Sequence, residues 1–155
     1  MMSPSPTTPS KFTYARLVPE LLVTDVNASL HFWRDLCGFR VVYDRLYEGF
    51  AYLDLNGAQI MLEERDRGRN WIVGPMDSPF GRGINFQIEV PTIDPLLASL
   101  ALGSWPLFMK SEKKWYRTGG LETGVHQFLV QDPDGYLIRF SAECGQRQIS
   151  SLPTP

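Results

Sequence analysis

Few residues of this chain could carry acid–base, nucleophilic or metal chemistry. There are two histidines, His31 and His126, and two cysteines, Cys37 and Cys144. His31 stands beside Phe32 in a run of helical spacing and reads as helix surface. His126 shares a strand face with Phe128 and Val130 and reads as structural, although it is the best residual acid–base candidate. Spacing offers no Ser-His-Asp or Cys-His pairing, and Cys37 has no evident activator. "GRG" at 81–83 precedes a strand, not a helix, so it is not a phosphate loop. The unusual charge is Arg139, in "DPDGYLIRF" (132–140). Asp-Pro-Asp-Gly makes a tight turn, and the strand after it alternates, with Arg139 flanked by Ile138 and Phe140 of the opposite face.

The elements that must position these residues form one unit used twice. "LVPELLV" (17–23) is strand-like, and "TDVNASLHFWRDLCG" (24–38) is a helix with Asp25 or Thr24 as N-cap and Gly38 as C′ glycine. "FRVVYD", "GFAYLDL" and "AQIMLEE" are three strands, the last two joined by the Asn56-Gly57 hairpin turn. The second half repeats the pattern. "INFQIEV" (84–90) is a strand, "TIDPLLASLALG" (92–103) a helix, and "PLFMKSE", "GVHQFLVQ" and "GYLIRFSAE" the closing strands. The extra residues of the second unit fall in "KKWYRTGGLET" (113–123), read as an inserted connection. The expected fold is α+β: two tandem βαβββ modules forming a curved mixed sheet with a concave cleft. Residues 1–13 form a flexible arm and 14–144 one two-module domain (14–64, linker 65–82, 83–144), with 145–155 a tail.

The chain of 155 residues is 43% hydrophobic, enough to bury a core. A net charge of −2 with scattered Lys and Arg argues against a nucleic-acid footprint. "MMSPSPTTPS" lacks an apolar signal core and no run is long enough to span a membrane, so the expected location is cytoplasmic. In a reducing compartment the cysteines stay as thiols, Cys37 as a small core residue.

"ASLHFWRDLCGFRVVYD" (28–44) and "FLVQDPDGYLIRF" (128–140) resemble the helix–glycine–strand signature and closing hairpin of the vicinal oxygen chelate superfamily. That superfamily includes glyoxalase I, extradiol dioxygenases and bleomycin resistance proteins. Its enzymes hold a divalent metal with His, Gln or Glu on the first and last strands of the modules. The matching positions here are Val18, Met61, Asn85 and Arg139. The resemblance therefore implies a lost metal site and no cofactor: a guanidinium stands where a metal-binding carboxylate would be, and it repels a cation. Arg139 is then expected to pair with Glu63 or Glu20.

Strand parity assigns Glu20, Met61, Glu63, Asn85, Gln87, Glu89 and Arg139 to the concave face. The carboxylates fit either rim charges or an acidic lining that attracts a cation. Trp115 and Tyr116, in the inserted connection, fit either a dimer contact or a stacking platform at the cleft mouth. Metal-free cleft binders of the superfamily resemble bleomycin resistance proteins. The resemblance thus implies a non-catalytic homodimer that sequesters a bleomycin-type cationic antibiotic between chains. The competing reading is a metal-dependent glyoxalase- or dioxygenase-like enzyme with a displaced metal site. A third is an interaction module whose concave face is covered by another protein or by its own N-terminal arm.

Overall fold

The computed structural model describes residues 12–68 and 71–149. Module one runs β1 (Glu20–Val23), α1 (Val26–Leu30, continued by π-helical turns over His31–Leu36), β2 (Arg40–Arg45), β3 (Phe50–Leu55) and β4 (Ala58–Glu64). Module two runs β5 (Asn85–Glu89), α2 (Asp94–Leu102), β6 (Leu107–Thr118), β7 (Leu121–Gln131) and β8 (Leu137–Gln148). Each module forms a four-stranded mixed sheet, in the orders β1-β4-β3-β2 and β5-β8-β7-β6. In both, the first strand lies parallel to the last and the other pairs are antiparallel. This is the expected pair of βαβββ units in an α+β fold.

Local chemistry explains the element ends. Asp25 caps α1 by accepting from the N–H groups of Asn27 and Ala28 at 2.9 and 3.2 Å. Thr24, the alternative cap, is used elsewhere. Its N–H and hydroxyl both donate to Asp134, at 3.0 and 2.6 Å, across the two modules. After Leu30 the helix widens, and Cys37 N–H donates to Phe32 O, five residues back. A π turn inserts one extra residue, which lets adjacent Phe32 and Trp33 both reach full burial. Cys37 is buried with them.

The two modules share one core. Leu21, Val23, Leu30, Trp33 and Leu62 of the first join Ile88, Leu100, Phe128, Ile138 and Phe140 of the second. Phe32 packs against Trp105 with ring centroids 5.1 Å apart. Ser99 Oγ donates to Leu36 O at 2.7 Å, tying α2 to the end of α1. The alternation that buries Leu21 and Val23, or Ile138 and Phe140, leaves Glu20 and Arg139 on the opposite face of their sheets.

Three boundaries differ from the sequence reading. Residues 113–123 are not an inserted loop: β6 and β7 extend through them as a long hairpin closed at Gly119 and Gly120. Residues 145–148 belong to β8, because the lengthened β7 supplies a partner as far as Leu121↔Gln148. Phe12 and Thr13 are tied down, since Gln59 Nε2 donates to Thr13 O at 2.9 Å and the Phe12 ring meets Tyr14 edge-on. The rest of the expected arm, 1–11, lies outside the described residues. Among the described residues, no helix is long and apolar enough to cross a membrane.

Gly135 closes the Asp132–Tyr136 turn at φ +95°, and a Cβ there would run into Pro79. Gly57 has φ +96° with open space around it. Gly57→Ala is therefore expected to cost about 1–2 kcal/mol from backbone strain alone. Gly135→Ala, which adds overpacking, should cost on the order of 2–4 kcal/mol. Urea unfolding of the two variants, side by side, measures the difference.

Candidate functional site

On the non-helical face of module one, Phe50, Tyr52 and Asp54 of β3 stand opposite Glu63, Met61 and Gln59 of β4. Glu20 of β1 lies beside Met61. Tyr43 stacks on Tyr52 at 5.3 Å, and the Arg45 guanidinium lies 4.0 Å over the Phe50 ring. The floor is thus aromatic, with charge at its ends. At one end, Arg40 Nε donates to the buried Asp54 at 3.4 Å. There, Phe12–Ala15 cover the face: Tyr14 meets Tyr52 edge-on, and Ala15 N–H donates to Gln59 Oε1 at 2.7 Å.

The other end is a pocket of about 340 Å³, lined by Glu20, Glu63, Glu48, Arg45, Phe50 and Trp71 among others. Glu20 and Glu63 stand together in it, where a hydrogen bond between the carboxyls favours the protonated form of Glu20. This bond pushes the Glu20 carboxyl up to about 7, with burial and the Glu63 charge adding to the rise and Arg45 opposing it.

On module two, Asn85, Gln87 and Glu89 of β5 stand beside Leu137, Arg139 and Ser141 of β8. Behind them come Leu129 and Gln127 of β7, opposite Arg139 and Ser141. Arg139 Nη2 donates to Gln87 Oε1 at 2.5 Å. Its acceptor is thus an amide on the neighbouring strand. Glu63 and Glu20, the expected partners, sit on the other module's sheet. Gln127 Nε2 donates to Tyr116 Oη at 2.7 Å and to Glu112 Oε1 at 3.1 Å. Two grooves, of about 350 and 300 Å³, lie over this surface.

The sequence-expected residues thus fall into two groups. Glu20, Met61 and Glu63 share one face, and Asn85, Gln87, Glu89, Tyr116 and Arg139 share another. Trp115 belongs to neither. Adjacent strand residues face opposite ways, so with Tyr116 over the groove Trp115 turns to the far side. There its ring packs near Gly124 under the Arg147 guanidinium, 3.9 Å away. Trp71, in the linker, is open in sequence to the same two readings as Trp115 and Tyr116, a dimer contact or a stacking platform. Gln127, Glu112, Arg45 and Phe50 were not singled out by sequence. Alternation could have found Gln127, since it shares a face with Leu129 opposite Arg139.

The donor set does not fit a divalent metal. Val18 and Met61 on one module, and Asn85 and Arg139 on the other, supply no carboxylate or imidazole. Among the described residues, no group of three or more His, Cys, Asp and Glu side chains converges to hold one. His31 is exposed on the helix, 3.4 Å from Asp35. Burial pushes the Cys37 thiol well above its usual range, away from the reactive thiolate.

No protein-family model and no curated protein matches the chain. Solved structures do. A superfamily member from Vibrio splendidus 12B01 is 38% identical over 81% of this chain and 96% of its own, with a TM-score of 0.36. TioX from Micromonospora sp. ML1 is 21% identical, covering 83% and 98%, with a TM-score of 0.64. The glyoxalase/bleomycin resistance protein/dioxygenase from Alicyclobacillus acidocaldarius is 19% identical, covering 83% and 91%, with a TM-score of 0.58. The last two share the fold. On the 38% identity across nearly the whole of the Vibrio protein, this chain belongs to the glyoxalase/bleomycin resistance protein/dioxygenase superfamily.

Proposed function

We propose that the chain is a non-catalytic binding protein that sequesters a cationic, bleomycin-type antibiotic in a metal-free cleft at a homodimer interface. The observation that carries this reading is the Glu20–Glu63 carboxyl pair, set in a pocket walled by Phe50 and Trp71. The two guanidiniums of the lining are engaged elsewhere, Arg45 by Glu48 and Arg67 by Glu64. A carboxylate beside aromatic rings is left to attract an organic cation by charge and by ring faces, and needs no metal to do so. Catalysis has little to draw on here, since the donor set suits no Lewis acid and Cys37 is buried. Dimer formation is supported by the apolar run Trp71, Ile72 and Val73, exposed beside the pocket. A second copy would bury that run and deepen the cleft.

Metal-free bleomycin should bind equally well with and without EDTA, and more weakly as salt is raised. Glu63→Gln should reduce affinity about tenfold or more, the worth of a charge-assisted hydrogen bond. Isothermal titration measures both; loss of binding on chelation would sink the reading. Sedimentation should give a dimer at micromolar concentration.

The carboxyl pair also predicts a pH dependence. Glu20 is raised from an ordinary 4.5 to about 7, so between these values the folded chain binds more protons than the unfolded one. Its contribution is fully present below about pH 4.5 and is lost as pH rises through about 7. Glu20→Gln, a neutral mimic of the protonated acid, should match the wild type in urea midpoint at pH 5 and exceed it at pH 8.

A further inference from the structure

We propose that the concave face of module two recognises an amide group of the ligand, through the Arg139 guanidinium and the Gln127 carbonyl. This rests on the binding reading above and names a chemical feature of what is bound.

Gln127 is 3% exposed, yet its Oε1 has no hydrogen-bond partner among the described residues. Its orientation is fixed by chemistry. Nε2 lies 3.1 Å from a Glu112 carboxylate oxygen, which can only accept, so the NH2 group must point there. The carbonyl oxygen is thereby turned the other way. Tyr116 Oη takes the second amide hydrogen at 2.7 Å and holds the side chain in place.

Arg139 presents the complementary orphan. Its Nη2 is engaged by Gln87, while Nε is buried and has no partner among the described residues. In the β7–β8 ladder Gln127 is paired with Ser141 and Arg139 with Leu129, which makes Gln127 and Arg139 diagonal neighbours on one face. Both line each of the two grooves above that face. An unpaired acceptor and an unpaired donor therefore lie in the floor of the same space.

A carboxylate would satisfy the guanidinium but set an oxygen against Gln127 Oε1, with Glu112 close by. An ammonium would satisfy Gln127 and be repelled by Arg139. A primary carboxamide or lactam edge meets both: its C=O accepts from Arg139 and its N–H donates to Gln127. Sites built from buried polar groups discriminate strongly against analogues that leave one of them unpaired.

Benzamide and benzoate are matched in size and differ in this edge alone. Saturation-transfer NMR on the full-length protein should show benzamide binding at least about tenfold tighter than benzoate. Gln127→Leu and Arg139→Met should each abolish it. Arg139→Lys keeps the charge but loses the planar N–H edge, and should weaken benzamide as severely, with circular dichroism reporting that the variants are folded. Glu63→Gln should leave benzamide binding unchanged while weakening the antibiotic, so failure of one reading is distinguishable from failure of the other. Benzoate binding as tightly as benzamide, neither fragment binding, or indifference to Arg139 and Gln127 would overturn the proposal. The same holds if Arg139→Met dissociates a dimer while benzamide never binds, since the guanidinium's partner would then be a second copy.

Discussion

One buried carboxylate sets how the two modules sit. Asp132 Oδ1 accepts from the backbone N–H groups of Asp134 and Tyr136 at 3.0 and 2.9 Å, shaping its own turn. Oδ2 accepts from the Trp33 indole at 3.3 Å, reaching from module two into the helix of module one. Burial pushes this acid up to about 6, against the pull of those three donors. Around it, Tyr136 Oη donates to Leu22 O at 2.9 Å and Asp134 holds Thr24. The turn is thus a joint, and the faces of β1, β4, β5 and β8 have their places because it is made.

Much of this was legible from spacing. Alternation in "GYLIRFSAE" put Arg139 opposite Ile138 and Phe140, which are fully buried. The Asn56-Gly57 turn and the Asp25 cap follow from residue type, because short side chains and glycine satisfy backbone needs that few others can. What alternation cannot supply is the distance over which a strand continues. Lys113 to Thr118 look like a polar insertion, and they become a strand only because residues 121–126 return alongside them. That error moved Trp115 to the wrong side. The Arg139–Glu expectation failed for a related reason: parity says which face a residue occupies, but not which sheet lies across from it.

The two concave faces have diverged in chemistry while keeping one architecture. Module one offers two neighbouring carboxyl groups and stacked rings. Module two offers a guanidinium and an amide with bonds still to make. A ligand spanning both would be read by charge at one end and by hydrogen-bond direction at the other. These are independent demands, and their product is narrower than either alone.

The joint at Asp132 also has a kinetic meaning. Trp33 and Asp132 are 99 residues apart in sequence, and closing a loop of that length costs about 4 kcal/mol in chain entropy on the (3/2)RT ln n scale. The β6–β7 hairpin closes across two residues, Gly119 and Gly120, and bears almost none of that cost. Local pairing in module two can therefore form early, whereas the indole–carboxylate contact must wait until both halves have collapsed. On this physics the Trp33–Asp132 contact belongs to the last step of assembly, when the two halves become one molecule.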